Sequence, residues 1–136
     1  MTYVLDTNTI IHYLGKKANV LRNFDNAAIQ NFKLIIPKAV DYEVRRGLGI
    51  YPAPRKEKTY NILTQQCIIG EVGSDVWDCA TQIYIDLYKK RFTVGEIDML
   101  IGAYCLVNGY ALVTGNTKDF ENMDGLKLVD WMKPTP

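Results

Sequence analysis

The residues best suited to chemistry in this chain are acids that interrupt apolar sequence. Asp6 follows Met1-Thr2-Tyr3-Val4-Leu5, which reads as a buried strand, and precedes Thr9-Ile10-Ile11-His12-Tyr13-Leu14, an apolar-rich run that can turn helical. A carboxylate at the carboxyl end of a first strand lies where open α/β sheets bind ligands. A second acid, Asp98, interrupts Ile97-Asp98-Met99-Leu100-Ile101-Gly102-Ala103-Tyr104. Ionised carboxylates are expensive to bury unless they are paired, hydrogen-bonded or bound to a metal. Two such acids in one small domain suggest a shared cation, and hard oxygen ligands suit Mg²⁺, with Mn²⁺ as a substitute.

Each acid also has a plainer explanation. Asp6 can simply cap the helix that follows it; as a metal ligand it would instead have Thr7 and Asn8 to hold the carboxylate by hydrogen bonds. Glu43 shares a helix with Val40 and Val44 and can pair with Arg46 at the surface, whereas Asp41 is spaced to pair with Arg45. Glu96 fits a capping box, Thr93-Val94-Gly95-Glu96, reaching back to the N–H of Thr93. Asp98 has the weakest plain explanation, because apolar residues surround it. Asp119 follows the strand ending at Thr114 and reads either as a surface acid of a turn or short helix or as a further ligand. Asn116 lies closer to that strand end, and the Thr114 hydroxyl can serve the site or local backbone groups. His12 is the only histidine, so no mechanism built on a histidine pair is open to the chain. It reads as structural or surface. There is no Walker-type glycine loop and no G-x-G-x-x-G.

These acids need elements to bring them together, and strand and helix signals alternate throughout. Lys33-Leu34-Ile35-Ile36 reads as a second strand, and Pro37 then starts a helix that stops at Gly47. Tyr51-Pro52-Ala53-Pro54 is a rigid connector before a polar helix from Arg55 to Gln66, which leads to a strand at Cys67-Ile68-Ile69. Trp77, Ala80, Ile83, Tyr84, Leu87 and Tyr88 follow the spacing of one helical face. The apolar helix holding Asp98 ends at Asn108-Gly109. Tyr110 to Thr114 is a strand, Gly115-Asn116 a turn, and Lys127-Leu128-Val129 a short last strand. Strands separated by helices predict a parallel sheet with helices on both faces.

The bulk numbers set bounds. A chain of 136 residues, 48% hydrophobic and 23% charged, is about one globular domain with a sizeable core. No apolar stretch reaches the roughly 18 residues of a membrane span, and the start does not read as a secretory signal, so the expectation is a cytoplasmic protein with no membrane contact. Cys67, Cys79 and Cys105 are odd in number, lack metal-type spacing, and read as reduced, mostly buried thiols. A net charge of +1 leaves any basic face to local clustering.

Four segments, taken in order and separation, carry a resemblance. They are Tyr3-Val4-Leu5-Asp6-Thr7-Asn8, then Tyr42-Glu43-Val44-Arg45-Arg46-Gly47-Leu48, then Ile97 to Ala103, and finally Leu112-Val113-Thr114-Gly115-Asn116-Thr117-Lys118-Asp119-Phe120. Together they resemble PIN-domain ribonucleases, specifically VapC-type toxins of toxin–antitoxin pairs, nearly end to end. The segment from Leu126 to Trp131 resembles the closing strand of that family. The resemblance implies a single PIN domain over residues 1–136, a three-layer α/β/α fold with a parallel sheet of four to five strands. It implies that Asp6, Glu43 and Asp98 bind metal and act in catalysis, with Asn116 and Asp119 competing for the variable fourth position. Asn8, Thr114 and Asn116 would support those ligands. It implies an Mg²⁺-dependent endoribonuclease, a homodimer, and a VapB-type antitoxin whose tail enters the active-site groove.

In that mechanism the metal acidifies the attacking water and stabilises charge on the phosphate. The family pattern implies a 3′-hydroxyl and a 5′-phosphate product, with no catalytic histidine. RNA would be held by phosphate contacts, with Arg45 and Arg46 as first candidates and Arg55-Lys56-Glu57-Lys58 and Lys89-Lys90-Arg91 behind them. Each of these also reads as a solvated face. Tyr42 and Tyr51 are candidates to stack bases or to join the core. Two alternatives stand beside the toxin. One is a PIN domain that is catalytically idle or processes RNA while serving as a partner-binding module. The other is a receiver-type module, disfavoured because Asp6 has no acidic neighbour and Ile36-Pro37 offers no phosphate acceptor.

Overall fold

Short runs rich in β-branched residues form strands here, and longer segments between them form helices. The computed structural model describes residues 1–134, and Thr135 and Pro136 lie outside them. The strands are β1 (Thr2–Leu5), β2 (Lys33–Pro37), β3 (Ile68–Gly70), β4 (Ala111–Val113) and β5 (Leu128–Val129). They form one sheet in the order β3-β2-β1-β4-β5, parallel at every pairing. Val4, Leu5, Ile35, Ile36, Leu112 and Val113 are all buried, as expected of parallel strands covered on both faces.

Helices fill the crossovers. α1 (Thr7–Leu14) and α2 (Ala18–Ile29) join β1 to β2, and α3 (Lys38–Ile50) and α4 (Pro54–Gln66) join β2 to β3. α5 (Ser74–Lys89) and α6 (Glu96–Asn108) join β3 to β4, and α7 (Thr117–Phe120) precedes β5. The chain steps from β1 to β3 in one direction and from β4 to β5 in the other. Right-handed crossovers therefore divide the helices between the two faces, which gives the expected three layers. The sheet has five strands. Among the described residues no helix is long and apolar enough to cross a membrane.

Several local expectations are corrected. α2 was not anticipated: its buried Val20, Phe24 and Ala27 are separated by Asn19, Arg22, Asn23, Asp25 and Asn26, which dilute the apolar signal. The helix expected to stop at Gly47 runs on to Ile50. A glycine costs a helix only about 1 kcal/mol, and Leu48 beyond it packs on the core, so tertiary packing carries the helix past both Gly47 and Gly49. The face proposed along α5 is split. Val76, Ala80 and Leu87 are buried, whereas Trp77, Tyr84 and Tyr88 are exposed. The cysteines are free thiols, with Cys105 buried and Cys67 and Cys79 partly so. Burial pushes the Cys67 thiol up to about 11, which keeps it protonated and unreactive.

A buried polar latch ties α3 to α4. Asp41 is 4% exposed and accepts from the hydroxyl of the fully buried Tyr60 at 2.7 Å and from Arg45 Nε at 3.0 Å. Arg45 also donates to Asn61 at 3.1 Å and lies 5.1 Å from the centre of the Tyr60 ring. Burial works against the Asp41 carboxylate, yet the Tyr60 hydroxyl, then Arg45 and Lys38, hold its pKa below the ordinary value. Because Glu43 lies half a turn further along α3, this latch also fixes where Glu43 points. Tyr60→Phe leaves the buried carboxylate short of a donor, and a loss of about 1–3 kcal/mol in urea unfolding, with unchanged m-value, is expected.

Candidate active site

The site begins with strand register. β1 and β4 pair Leu5 with Val113, so the next residue on each strand, Asp6 and Thr114, emerges at the same carboxyl edge. The crossovers leave β1 and β4 in opposite directions, which opens a crevice between those two strands. Asp6 sits in it, 4% exposed, and both of its oxygens are occupied. Oδ1 accepts from the Thr7 N–H at 2.7 Å, the cap expected of this residue, and Oδ2 accepts from the Thr114 hydroxyl at 2.7 Å.

Thr114 is the hub of the crevice. It is fully buried, accepts from Asn8 Nδ2 at 3.3 Å and from the Asn116 backbone N–H at 3.0 Å, and passes its own proton to Asp6. Asn8 closes the loop by accepting from the Gly115 N–H at 3.1 Å. The Asn116 side chain makes no cap bond to α7. Thr7, expected to serve Asp6, does so only through its backbone. Its hydroxyl donates instead to Glu43 Oε1 at 2.7 Å, a link across the chain that no sequence spacing marks.

The remaining acids arrive from helix starts. Glu43, half-buried on α3, lies 3.7 Å from Arg46 Nη2, the pairing its plain explanation required. Asp98 stands in the first turn of α6. The capping box at Thr93 does not form: α6 starts at Glu96 with Gly95 as its cap. An extended Gly95 makes Glu96 the first helical residue and exposed, and turns Asp98 inward. Asp119 is exposed on α7, close enough that its charge is felt by both Asp6 and Asp98.

Electrostatics bind these four residues into one site. Burial, then the charges of Asp6, Asp119 and Glu43, push Asp98 up to about 6. Burial likewise raises Asp6 against the lowering effect of its Thr114 and Thr7 hydrogen bonds, with Glu43 and Asp119 adding to the rise. Among the described residues neither Asp6 nor Asp98 has a salt-bridge partner. Nor does any trio of carboxylate, imidazole or thiol groups close around a single ion position. Mutual repulsion keeps such carboxylates apart until positive charge joins them. A cluster of hard oxygen donors whose charges help raise the pKa of Asp6 and Asp98, with no cation against those two members, fits a divalent ion in its chemistry. Arg46 lies 5.0 Å from the centre of the exposed Tyr42 ring, while Arg45 faces the α3–α4 latch instead. His12 is half-buried on α1, and its Nδ1 has no hydrogen-bond partner.

Acids gathered at the switch point of a parallel sheet make this an α/β domain with an acidic crevice at the carboxyl edge of its two central strands. Residues 3–126 match the family model of the PIN domain, and the chain belongs to that family. It is similar to Ribonuclease VapC2 of Rickettsia felis, with 24% identity over 136 residues that cover 98% of this chain and 100% of that one. It is also similar to the tRNA(fMet)-specific endonuclease VapC of Shigella flexneri, with 26% identity covering 96% of this chain and 98% of the relative. The crystal structure of VapBC2 from Rickettsia felis bound to a promoter DNA fragment contains a chain that superposes with a TM-score of 0.88. The identity is 22%, over 96% of this chain and 99% of that one.

The raised acids predict a pH signature. A carboxyl whose pKa is raised by folding stabilises the fold most when protonated, so its contribution is complete below about pH 4. For Asp98 it is lost as pH rises through about 6. Asp41, lowered by folding, works the other way and weakens the fold only below about pH 4. Metal-free protein is therefore expected to melt at a lower temperature at about pH 7.5 than at about pH 5.5. Added Mn²⁺ should raise the melting temperature more at the higher pH. A melting temperature indifferent to divalent ions at both pH values would exclude a metal at these acids.

Proposed function

We propose that this chain is a Mg²⁺-dependent endoribonuclease of the VapC kind, the toxin of a type II toxin–antitoxin pair, with Mn²⁺ able to replace Mg²⁺. The observation that carries the proposal is the electrostatic coupling of Asp6, Glu43, Asp98 and Asp119 at the sheet's switch point. The names of the full-length relatives support the reaction class, and the VapBC complex supports a VapB-type partner.

Asp6, Glu43 and Asp98 would hold the ion. Asp119 is favoured over Asn116 as the fourth acidic position, because its charge already acts on Asp6 and Asp98. When bound, the ion supplies Lewis acidity, making an attacking water acidic near neutral pH and offsetting charge on the phosphodiester. The protein's own groups supply orientation. Thr114 and the Thr7 N–H fix both oxygens of Asp6, the Thr7 hydroxyl fixes Glu43, and Asn8 and Asn116 hold Thr114. Locked carboxylates of this kind cannot turn away when the ligand arrives. Arg46, beside Glu43 and exposed, is the phosphate contact of the pair first considered, since Arg45 is engaged by Asp41 and Asn61. A homodimer and an antitoxin tail in the acidic groove belong to the same proposal.

Asp98→Asn keeps the size of the side chain and removes its charge. RNA cleavage in Mg²⁺ should fall by about a hundredfold or more, beyond the loss typical of an outer supporting residue, while circular dichroism stays that of the parent. Cleavage at the parental rate would remove Asp98 from the site. Cleavage of RNA and single-stranded DNA should be measured side by side, with and without EDTA. Metal-dependent RNA cleavage is the expected outcome. Inertness toward both would favour the idle, partner-binding PIN domain.

A further inference from the structure

α5 closes with a residue ill-suited to its conformation. The Arg91 N–H donates to the Tyr88 carbonyl at 3.0 Å and the Phe92 N–H to the Leu87 carbonyl at 2.9 Å. These are the paired bonds of a Schellman closure, with Arg91 in its left-handed position at φ 64°. Glycine suits that position because it has no Cβ to crowd the following carbonyl oxygen, and asparagine because its short amide can hydrogen-bond locally. α2 and α6 follow the rule, with Asn31 at φ 57° and Gly109 at φ 71°, whereas α1 closes in the same way on Lys16 at φ 58°. The helix dipole gives no reason for the arginine, since Lys89 and Lys90 already stand at the same helix end. Backbone strain of this sort is kept where a side chain has work to do.

Arg91 lines an open cavity of about 490 Å³ together with Tyr88, Lys89, Phe92 and Thr93. Tyr88 is 72% and Phe92 46% exposed, so both rings are free to take a ligand. Lys90 turns elsewhere and braces the loop against Asp124 at 3.8 Å. The loop then runs to Gly95, where an added Cβ would lie 3.8 Å from Asp98 Oδ2. From Phe92 to Gly95 the chain can span at most about 11 Å, so Phe92 lies within that reach of the residue that caps the Asp98 helix.

We propose that the Tyr88–Thr93 cavity is a nucleotide subsite that holds an unpaired stretch of RNA beside the bond to be cut. Phe92 and Tyr88 stack on bases, and Lys89 and Arg91 pair with phosphates. The assignment rests on the ribonuclease function proposed above and adds the form of its substrate. Aromatic faces accept any base, but only one that is free of a duplex. The cations also supply what the acidic crevice lacks, an attraction for the polyanion before any metal contact is made. Trp77 and Tyr84 extend an apolar strip along the same helix, so a second copy of the chain is the competing occupant.

Arg91→Gly separates these cases, because glycine relieves the backbone while removing the charge. Binding of a labelled single-stranded RNA to the full chain is measured by fluorescence anisotropy in EDTA over a range of salt. Arg91→Gly should melt no lower than the parent, bind several-fold more weakly and flatten the logarithmic salt slope by about 0.7. Phe92→Ala should weaken binding about tenfold with little change of slope, and should leave duplex binding unaffected. Parental affinity and slope in both variants, with metal-dependent cleavage by the parent intact, would overturn the subsite and leave the ribonuclease standing. A shift in sedimentation mass without a change in RNA affinity would assign the face to a second copy and also overturn it. A parent that neither binds nor cuts RNA would remove the ribonuclease, and the subsite with it.

Discussion

The pairing of β1 with β4 is the constraint on which the site depends. Parallel strands all end on one edge, so every helix that follows a strand starts there. The two central strands send their chains apart, and the residues just past them, Asp6 and Thr114, face each other across the gap. Glu43, Asp98 and Asp119 reach the same edge from the early turns of α3, α6 and α7. A slip of one residue in the β1–β4 register would turn Asp6 to the other face of the sheet and dissolve the arrangement.

Holding acids together in this way opposes folding, and two aspartates, Asp41 buried and Asp98 partly buried, show how the protein manages it. Asp41 receives a tyrosine hydroxyl, an arginine and a lysine, and its pKa falls below the ordinary value. Asp98 receives desolvation and the charges of three other acids, and its pKa rises. The first is an acid whose partners are built into the fold. The second has no ion-pair partner among the described residues. Asp6 lies between them, with two neutral donors that orient its oxygens without supplying charge. Orientation of Asp6 is thus built into the fold, and compensating positive charge is not.

Much of the fold was legible in the sequence. The apolar runs at Val4, Ile35 and Leu112 marked the central strands, and Asp6 just after the first marked the ligand edge. The failures share a cause, because each involved a local signal overruled by packing at a distance. α2 looked polar until the aromatic cluster of Phe24, Tyr3 and Trp131 gave it a surface to cover. Gly47 looked like a stop until Leu48 found the core. Thr93 and Glu96 fitted a capping box, yet the helix starts later and gives the inward position to Asp98. The aromatic spacing on α5 marked a helix correctly but not which of its rings would be covered.

By itself the sequence determined the order of the strands and of most helices, the acids that interrupt apolar sequence and the absence of a histidine pair, since these follow from residue type and local spacing. Tertiary structure alone decided which donors serve which carboxylate. Thr7 turns its hydroxyl to Glu43, 36 residues away, and Thr114 serves Asp6, 108 residues away. It also decided that Arg45 turns to the Asp41–Tyr60 latch while Arg46 turns to Glu43 and Tyr42. Neighbours along one helix point in different directions, and what each meets there depends on elements packed from elsewhere in the chain.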